Sequence, residues 1–361
     1  MSIQDTASAK SAYAIGQPVK RKEDSTLLRG QGRYTDDINL PNQVYAYILR
    51  STVAHGRIKS IDTAAAKAMK GLLAIYTGED LKPYGTIQSA LPFKSRDGSD
   101  MKKPGRSSLA TDKVRFVGDP IACVVAESIA QAKDASEAIE VDIEALPVMT
   151  TPDQAVAKDA PAIFEDVPGN IALDFHYGDS DKVNAAFAAA AHKVKLKLIN
   201  TRLIVNAIEP RAAIGEYDKG KDRYTFYSVS QGVMGLKAGL TGMMKTTPDK
   251  MHVITGNVGG SFGMKAAVYP EYACILHGAK MLGRPVKWTD ERSSSFMSDN
   301  HGRDHEQIAE LAQIGFGTEN GCGQMSTQVA CHFQDLLALG MAHDQGGGAE
   351  DFCSQVRISQ E

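Results

Sequence analysis

The sequence predicts a mixed protein of the α+β class, on three observations. Short runs rich in β-branched and aromatic residues recur along the first 306 residues. Between them lie Ala-rich or apolar-periodic stretches long enough for helices. Pro- and Gly-rich breaks separate these runs, and no repeat of about 20–50 residues marks a solenoid.

Taken in order, residues 44–50 (VYAYILR), 72–76 (LLAIY) and 121–126 (IACVVA) are expected to be strands. Residues 127–139 (ESIAQAKDASEAI) carry small apolar residues at helical spacing and predict a helix. It feeds an alternating strand at 140–144, where Glu140, Asp142 and Glu144, with Glu137 before them, form a solvated face. Residues 1–150 thus read as one mixed unit, closed by the loop LPVMTTPD. Residues 151–176 are loop-rich, and Ser180 or Asp181 is expected to cap a helix running through 185–191. Strands are expected at 193–199, 211–217, 223–229 and 251–255, and helices at 232–243 and 268–282. The last helix has Pro270 in its first turn, where a missing N–H costs little, and Gly283 at its C-terminal cap.

At 361 residues the chain has room for two or three domains and a sizeable core. Hydrophobic residues at 43% and charged residues at 23% exclude wholesale disorder. Forty Lys and Arg against 43 Asp and Glu leave a net charge of −3, which points to no nucleic-acid partner and no anionic membrane surface. No apolar run approaches the roughly 18 residues a membrane span needs. The N-terminus lacks the apolar core of a secretion signal and has no twin-arginine pair. Five widely spaced cysteines, Cys123, Cys274, Cys322, Cys331 and Cys353, form no CxxC pair. No zinc or iron–sulfur site within the chain is expected, and a reducing, cytoplasmic setting is.

The composition shifts abruptly after Glu306. Residues 307–361 hold no Lys and a single Arg, Arg357, yet carry three of the five cysteines and eight Gln. Their apolar residues keep no period, except that 333–341 predicts a short helix. Such a tail is expected to be poorly packed, either as a mobile extension or as frameshifted sequence.

The strongest local signal is the run from Gly256 to Lys265 (GNVGGSFGMK), between an expected strand and an expected helix. Its glycines let backbone N–H groups approach a ligand, and the helix N-terminus behind it favours negative charge. It matches neither a P-loop nor GxGxxG, so a plain tight turn is an equal reading. Gln231 stands where an expected strand meets an expected helix, with a carboxamide able to donate and accept. Glu209-Pro210-Arg211 reads as a rigid turn with a surface ion pair. His301 and His305 read as an exposed loop pair, because Gly302 weakens a helix there and no third ligand is spaced to join them.

Together these segments resemble the molybdenum hydroxylases of the xanthine dehydrogenase and aldehyde oxidase family. The first region resembles their a/b hammerhead domain, from about residue 27 to 150. The matching stretches are GQGRYTDDI from Gly30, RSTVAH from Arg50, VRFVGDP from Val114, and the run 132–146 ending in Leu-Pro. Residues 151–306 resemble the first part of the family's molybdenum-cofactor-binding domain. Glu209-Pro210-Arg211 is similar to its Met-Glu-Pro-Arg segment, with Ile208 for Met. Gly259-Gly260-Ser261-Phe262-Gly263 is similar to its Gly-Gly-Gly-Phe-Gly loop, with Ser261 for the third glycine. Gln231 is similar to the glutamine that hydrogen-bonds the metal's oxo group, and Gln231 and Phe262 keep the family's spacing. The overall wording most resembles the large subunits of aerobic carbon monoxide dehydrogenases. Purine oxidisers carry a Glu after the loop's Lys, where this chain has Ala266, so a purine substrate is disfavoured.

The resemblance implies oxidative hydroxylation of a small carbon substrate (carbon monoxide, an aldehyde or a heterocycle) at a molybdopterin centre, in the cytosine dinucleotide form. Gln231 and Phe262 would form the metal's surroundings, and Gly259, Gly260, Ser261 and Gly263 would help hold the cofactor, with no direct protein ligand to the metal. Electrons would leave to [2Fe–2S] clusters and FAD on an iron–sulfur small subunit and an FAD-binding medium subunit. Full-length subunits are about twice as long and carry a general-base Glu near their C-terminus, which this chain lacks. Two alternatives follow: an inactive, truncated fragment, or a half-subunit completed in trans.

Overall fold

The computed structural model describes residues 20–318 and 325–337. Among the described residues, thirteen strands run in chain order as β1 (Val44–Arg50), β2 (Gly56–Asp62), β3 (Leu72–Thr77), β4 (Lys113–Val114), β5 (Pro120–Ala126), β6 (Glu140–Ala145), β7 (His192–Asn200), β8 (Ala212–Asp218), β9 (Arg223–Ser228), β10 (Met251–Ile254), β11 (Val286–Thr289), β12 (His305–Thr318) and β13 (Met325–Leu337). Four one-turn helices, α1 (Asp24–Leu27), α2 (Ala64–Lys67), α3 (Gly78–Leu81) and α5 (Pro152–Ala155), punctuate them. The longer helices are α4 (Ile129–Glu137), α6 (Ser180–Ala189), α7 (Val233–Met243), α8 (Pro270–Leu282) and α9 (Arg292–Ser298).

Strand β5 explains the centre of the fold. All seven of its residues are buried, because its two faces serve different layers. Cys123 and Val125 pack into the core that α7 and α8 cover, while Ala122, Val124 and Ala126 pack with Ala132 and Ala135 of α4. A near-continuous apolar strand is what a sheet covered on both faces requires. Helix α8 is buried from Pro270 to Ala279 and approaches β8 closely enough that a methyl at Gly215 would meet the Ile275 side chain at 3.0 Å.

The main sheet ignores the boundary at residue 150. Its seven strands run in the order β10-β9-β8-β11-β1-β5-β3, so the two regions of the chain share one sheet. The join is a parallel pairing of β1 with β11, Val44 opposite Val286. Arg284 reinforces it with a two-pronged bond to the Glu127 carboxylate, at 2.8 and 2.9 Å. The β4-β2-β6 sheet forms a smaller layer, and β13-β12-β7 a third sheet.

Most expected elements are present, and the corrections are instructive. The cap of α6 is Asp179, one residue before the expected pair, since its carboxylate accepts the Lys182 N–H at 3.0 Å. The segment expected to be helical at 333–341 is strand up to Leu337, paired in register with β12, and its remaining residues lie outside those described. Strands β2, β4, β11 and β12 are not among the expected elements: β2 is mostly polar, and β4 and β11 are two and four residues long, so none of these three carries a period.

At the other end of α8, Gly283 adopts a left-handed φ of 63°, as expected of that cap. The start of α4 gives a measurable case of capping. Ser128 Oγ accepts the Gln131 N–H at 3.3 Å. Replacing Ser128 by Ala is expected to lower stability by about 1 kcal/mol, read as a shifted urea midpoint with an unchanged slope. No shift would mean that water caps this helix equally well.

Candidate functional site

Three chain segments converge where β10 hands over to α8. The first is the glycine loop itself. Its base is pinned to the hammerhead-like region: Arg33 N–H donates to Asn257 Oδ1 at 2.7 Å, and Asn257 N–H to the Arg33 carbonyl at 3.0 Å. The GQGR and GNVGG stretches, far apart in sequence, thus meet backbone to backbone.

The second segment, residues 206–211, lies against the loop. Glu209 N–H donates to the Gly259 carbonyl at 3.1 Å, and Gly259 N–H donates back to Glu209 Oε2 at 2.7 Å. A Cβ at position 259 would stand 2.6 Å from the Glu209 Cβ, so only glycine permits this approach. Lys265, with its side chain wholly buried, donates to the Glu209 carbonyl at 2.8 Å and to Oε2 at 3.0 Å. Burial lowers the Lys265 pKa, and the Glu209 carboxylate works against that loss. Glu209 Oε1 is buried with no hydrogen-bond partner among the described residues. Arg292 holds the same segment from α9, donating to Asn206 Oδ1 and the Ile208 carbonyl, both at 2.8 Å.

The third segment carries Gln231, between β9 and α7. Its N–H donates to the Lys265 carbonyl at 3.3 Å, which ties it to the far end of the loop. Its side chain is exposed and makes no hydrogen bond among the described residues. Phe262 is 78% exposed and holds a left-handed φ of 51°, an uncommon conformation for a bulky residue. Ser261, standing where the resemblance has glycine, accepts the Lys265 N–H on its Oγ at 3.3 Å. The fold therefore brings Gln231, Ser261, Phe262 and the loop glycines into one constellation.

Three expectations need correction. Helix α8 starts at Pro270, seven residues past Gly263, so its N-terminus does not back the loop; Glu271 in its first turn binds Arg50 and Arg211 instead. Arg211 makes no surface pair. It is completely buried, donating to Asp299 at 2.6 Å, Glu271 at 3.0 Å and Asp290 at 3.3 Å, with its guanidinium 3.8 Å from the Tyr269 ring centre. His301 and His305 are not an exposed pair. His305 is buried at the start of β12, and half-buried His301 bonds the Phe296 carbonyl and faces Arg202, whose main partner is Asp304.

Sequence reasoning passed over Lys265 and the depth of Arg211. A signal existed for each. Lys265 is a lone charge flanked by Met264, Ala266, Ala267 and Val268, and Arg211 opens the apolar run Ala212, Ala213, Ile214.

A seven-stranded sheet with buried α8 behind it and this glycine loop at its edge is the architecture of a molybdopterin-cofactor-binding domain preceded by an a/b hammerhead. The family profile described as "aldehyde oxidase and xanthine dehydrogenase, a/b hammerhead domain" matches residues 29–147, and that described as "molybdopterin cofactor-binding domain" matches residues 163–319. The second match runs past Glu306. The carbon monoxide dehydrogenase large chain of Afipia carboxidovorans is 32% identical over 86% of this chain and 40% of its own length. The nicotine 6-hydroxylase large subunit of Paenarthrobacter nicotinovorans is 32% identical over 82% of this chain and 35% of its own. Among solved structures, the Cu,Mo-CO dehydrogenase superposes with a TM-score of 0.72 at 32% identity, over 82% of this chain and 38% of that one. Quinoline 2-oxidoreductase from Pseudomonas putida 86 superposes at 0.73 and 29%, over 81% and 37%. The chain belongs to the xanthine dehydrogenase and aldehyde oxidase family of molybdopterin-binding subunits, and it spans about two fifths of the length of these relatives. Among the described residues, no helix is long and apolar enough to cross a membrane.

Proposed function

We propose that this chain supplies the molybdopterin-facing loop and glutamine of a molybdenum hydroxylase, which oxidatively hydroxylates a small carbon substrate. One observation carries the reading: backbone and side-chain hydrogen bonds at Gln231, Ser261, Lys265 and Gly259 tie together the segments that bear the uncommitted Gln231 carboxamide and the exposed, left-handed Phe262. These residues fit the cofactor. The Gln231 side chain and Phe262 are exposed and open to a ligand, and Glu209 Oε1 is a buried acceptor without a partner among the described residues. When bound, the molybdenum centre would supply the two-electron redox chemistry.

In this reading Gln231 offers a hydrogen bond to the metal's surroundings, and the Phe262 ring keeps water from one side of the centre. Gly260, Ser261 and Gly263 present backbone toward the cofactor, proposed as the cytosine dinucleotide form, and Gly259, held on Glu209 by its N–H and carbonyl, sets their position. No side chain of this chain ligates the metal directly. Ala266 cannot hydrogen-bond a purine, so carbon monoxide, an aldehyde or another heterocycle is the proposed substrate class. Electrons would pass to [2Fe–2S] and FAD on an iron–sulfur small subunit and an FAD-binding medium subunit, in the cytoplasm. The short span relative to the relatives favours a second reading, in which the remaining part of a full-length subunit, on the same or another polypeptide, completes the site.

Molybdenum content is the test, measured by elemental mass spectrometry with a pterin assay on chain purified from a host that makes the cofactor. Near-stoichiometric metal is expected when the remaining part is co-expressed. Gln231→Ala is expected to keep its metal and lose about 100-fold in turnover, the usual cost of one preorganised donor. Absence of both metal and pterin from the co-expressed protein would sink the reading.

A further inference from the structure

Within the site, one residue is joined to every segment. Lys265 Nζ reaches the Glu209 carbonyl and Oε2, its carbonyl receives the Gln231 N–H, and its N–H reaches Ser261 Oγ. Glu209 Oε2 in turn takes the Gly259 N–H. The lysine side chain is wholly buried, which is rare for lysine and costly unless the charge is paired. Buried ion pairs are weak contributors to net stability, and their best-attested use is to select one geometry over others. A space-filling role alone would be served by an apolar side chain of equal length.

We propose that Lys265 and Glu209 are the positioning pair of this site: they hold the Gly259–Gly263 loop and the Gln231 backbone at one fixed separation, without touching substrate. This rests on the molybdenum reading for its purpose, but not for its geometry. Oxygen Oε2 is shared between the Gly259 amide and the ammonium, so loss of either partner loosens the other. Ser261 adds a local tie in the same direction, its Oγ taking the Lys265 N–H at 3.3 Å. The second carboxylate oxygen, buried and unpartnered, is left for a donor that approaches the loop.

Amide hydrogen exchange on the intact chain tests the pair, whether or not cofactor is loaded. In Lys265→Met, which keeps the volume and removes the charge, exchange is expected to rise roughly tenfold in peptides covering 229–232 and 256–263. Peptides from β1 and β5 are expected to stay protected. Glu209→Gln, which keeps the shape and the Gly259 acceptor, is expected to raise exchange in the same two peptides by a smaller factor. Unchanged exchange at both peptides in Lys265→Met overturns the proposal. If that variant loosens everywhere, Glu209→Gln decides: a rise confined to the two peptides supports the pair, and none overturns it. Molybdenum in the co-expressed protein is measured alongside. Its absence from the wild-type chain counts against the molybdenum reading alone, whereas a roughly tenfold fall confined to the variants ties the pair to cofactor retention.

Discussion

Replacing Arg211 by Leu is expected to cost about 3–5 kcal/mol, a large part of the stability of an ordinary domain. The guanidinium is wholly buried, and three carboxylates converge on it: Glu271 from α8, Asp290 after β11 and Asp299 after α9. Removing it leaves those carboxylates in the interior without their central cation, although Arg50 still stands 2.6 Å from Glu271 and 3.8 Å from Asp290. The stacking on Tyr269 is lost as well.

The pH dependence separates this mechanism from simple loss of packing. Burial alone would raise the Glu271 pKa, but Arg211 and Arg50 overcome it, so this carboxyl lies well below its usual 4.5. A depressed carboxylate contributes stability that is present above its unfolded pKa and lost as pH falls toward the folded one. In the wild type that contribution therefore fades below about pH 4.5. In Arg211→Leu much of it is already gone, so the gap between the proteins should narrow as the solution is acidified. Urea unfolding at pH 7 and pH 4 measures both. A loss below about 1 kcal/mol at pH 7 would place the cluster among ion pairs that contribute little net stability.

Gly259→Val is expected to disrupt the site while sparing the sheet. A Cβ there would meet the Glu209 Cβ at 2.6 Å, with Cγ and Oε2 at 3.5 and 3.4 Å, and valine adds two methyls. Overpacking of this kind costs about 1–3 kcal/mol. Relief requires the loop to move off Glu209, which breaks the mutual hydrogen bonds of residues 209 and 259. If cofactor binds only the closed loop, its retention should fall about ten- to hundredfold. Gly242→Ala is the control, since a methyl there meets nothing within 4 Å and sits in α7, where Ala is favoured over Gly. Equal molybdenum content and equal stability in Gly259→Val and the control would mean that the loop tolerates a side chain.

Much of this was legible in the sequence wherever a short window carries its own physics. Strand β5 is an unbroken apolar run and β9 alternates, so both stand out. Pro270 and Gly283 bracket α8 as the asymmetry of helix ends demands. The glycine loop announced itself because few other positions tolerate so many missing side chains. Elements without a period of their own did not: β2 presents only Ile58 and Ile61 among polar residues, and β11 is too short to alternate.

What only the tertiary structure decided is which distant groups meet. Arg211 read as a surface charge, because exposure is a property of the packed neighbourhood and not of a three-residue turn. Its partners lie 60, 79 and 88 residues away in sequence. The two family profiles leave residues 148–162 between them, yet β1 and β11 pair across that gap, since hydrogen-bonding edges pair by position in space. By itself the sequence determined the fold class and the ends of α8, where Pro270 and Gly283 carry the signal. Folding determined that Lys265 is the knot of that site, because burying an ammonium becomes tolerable only once Glu209 has been brought beside it.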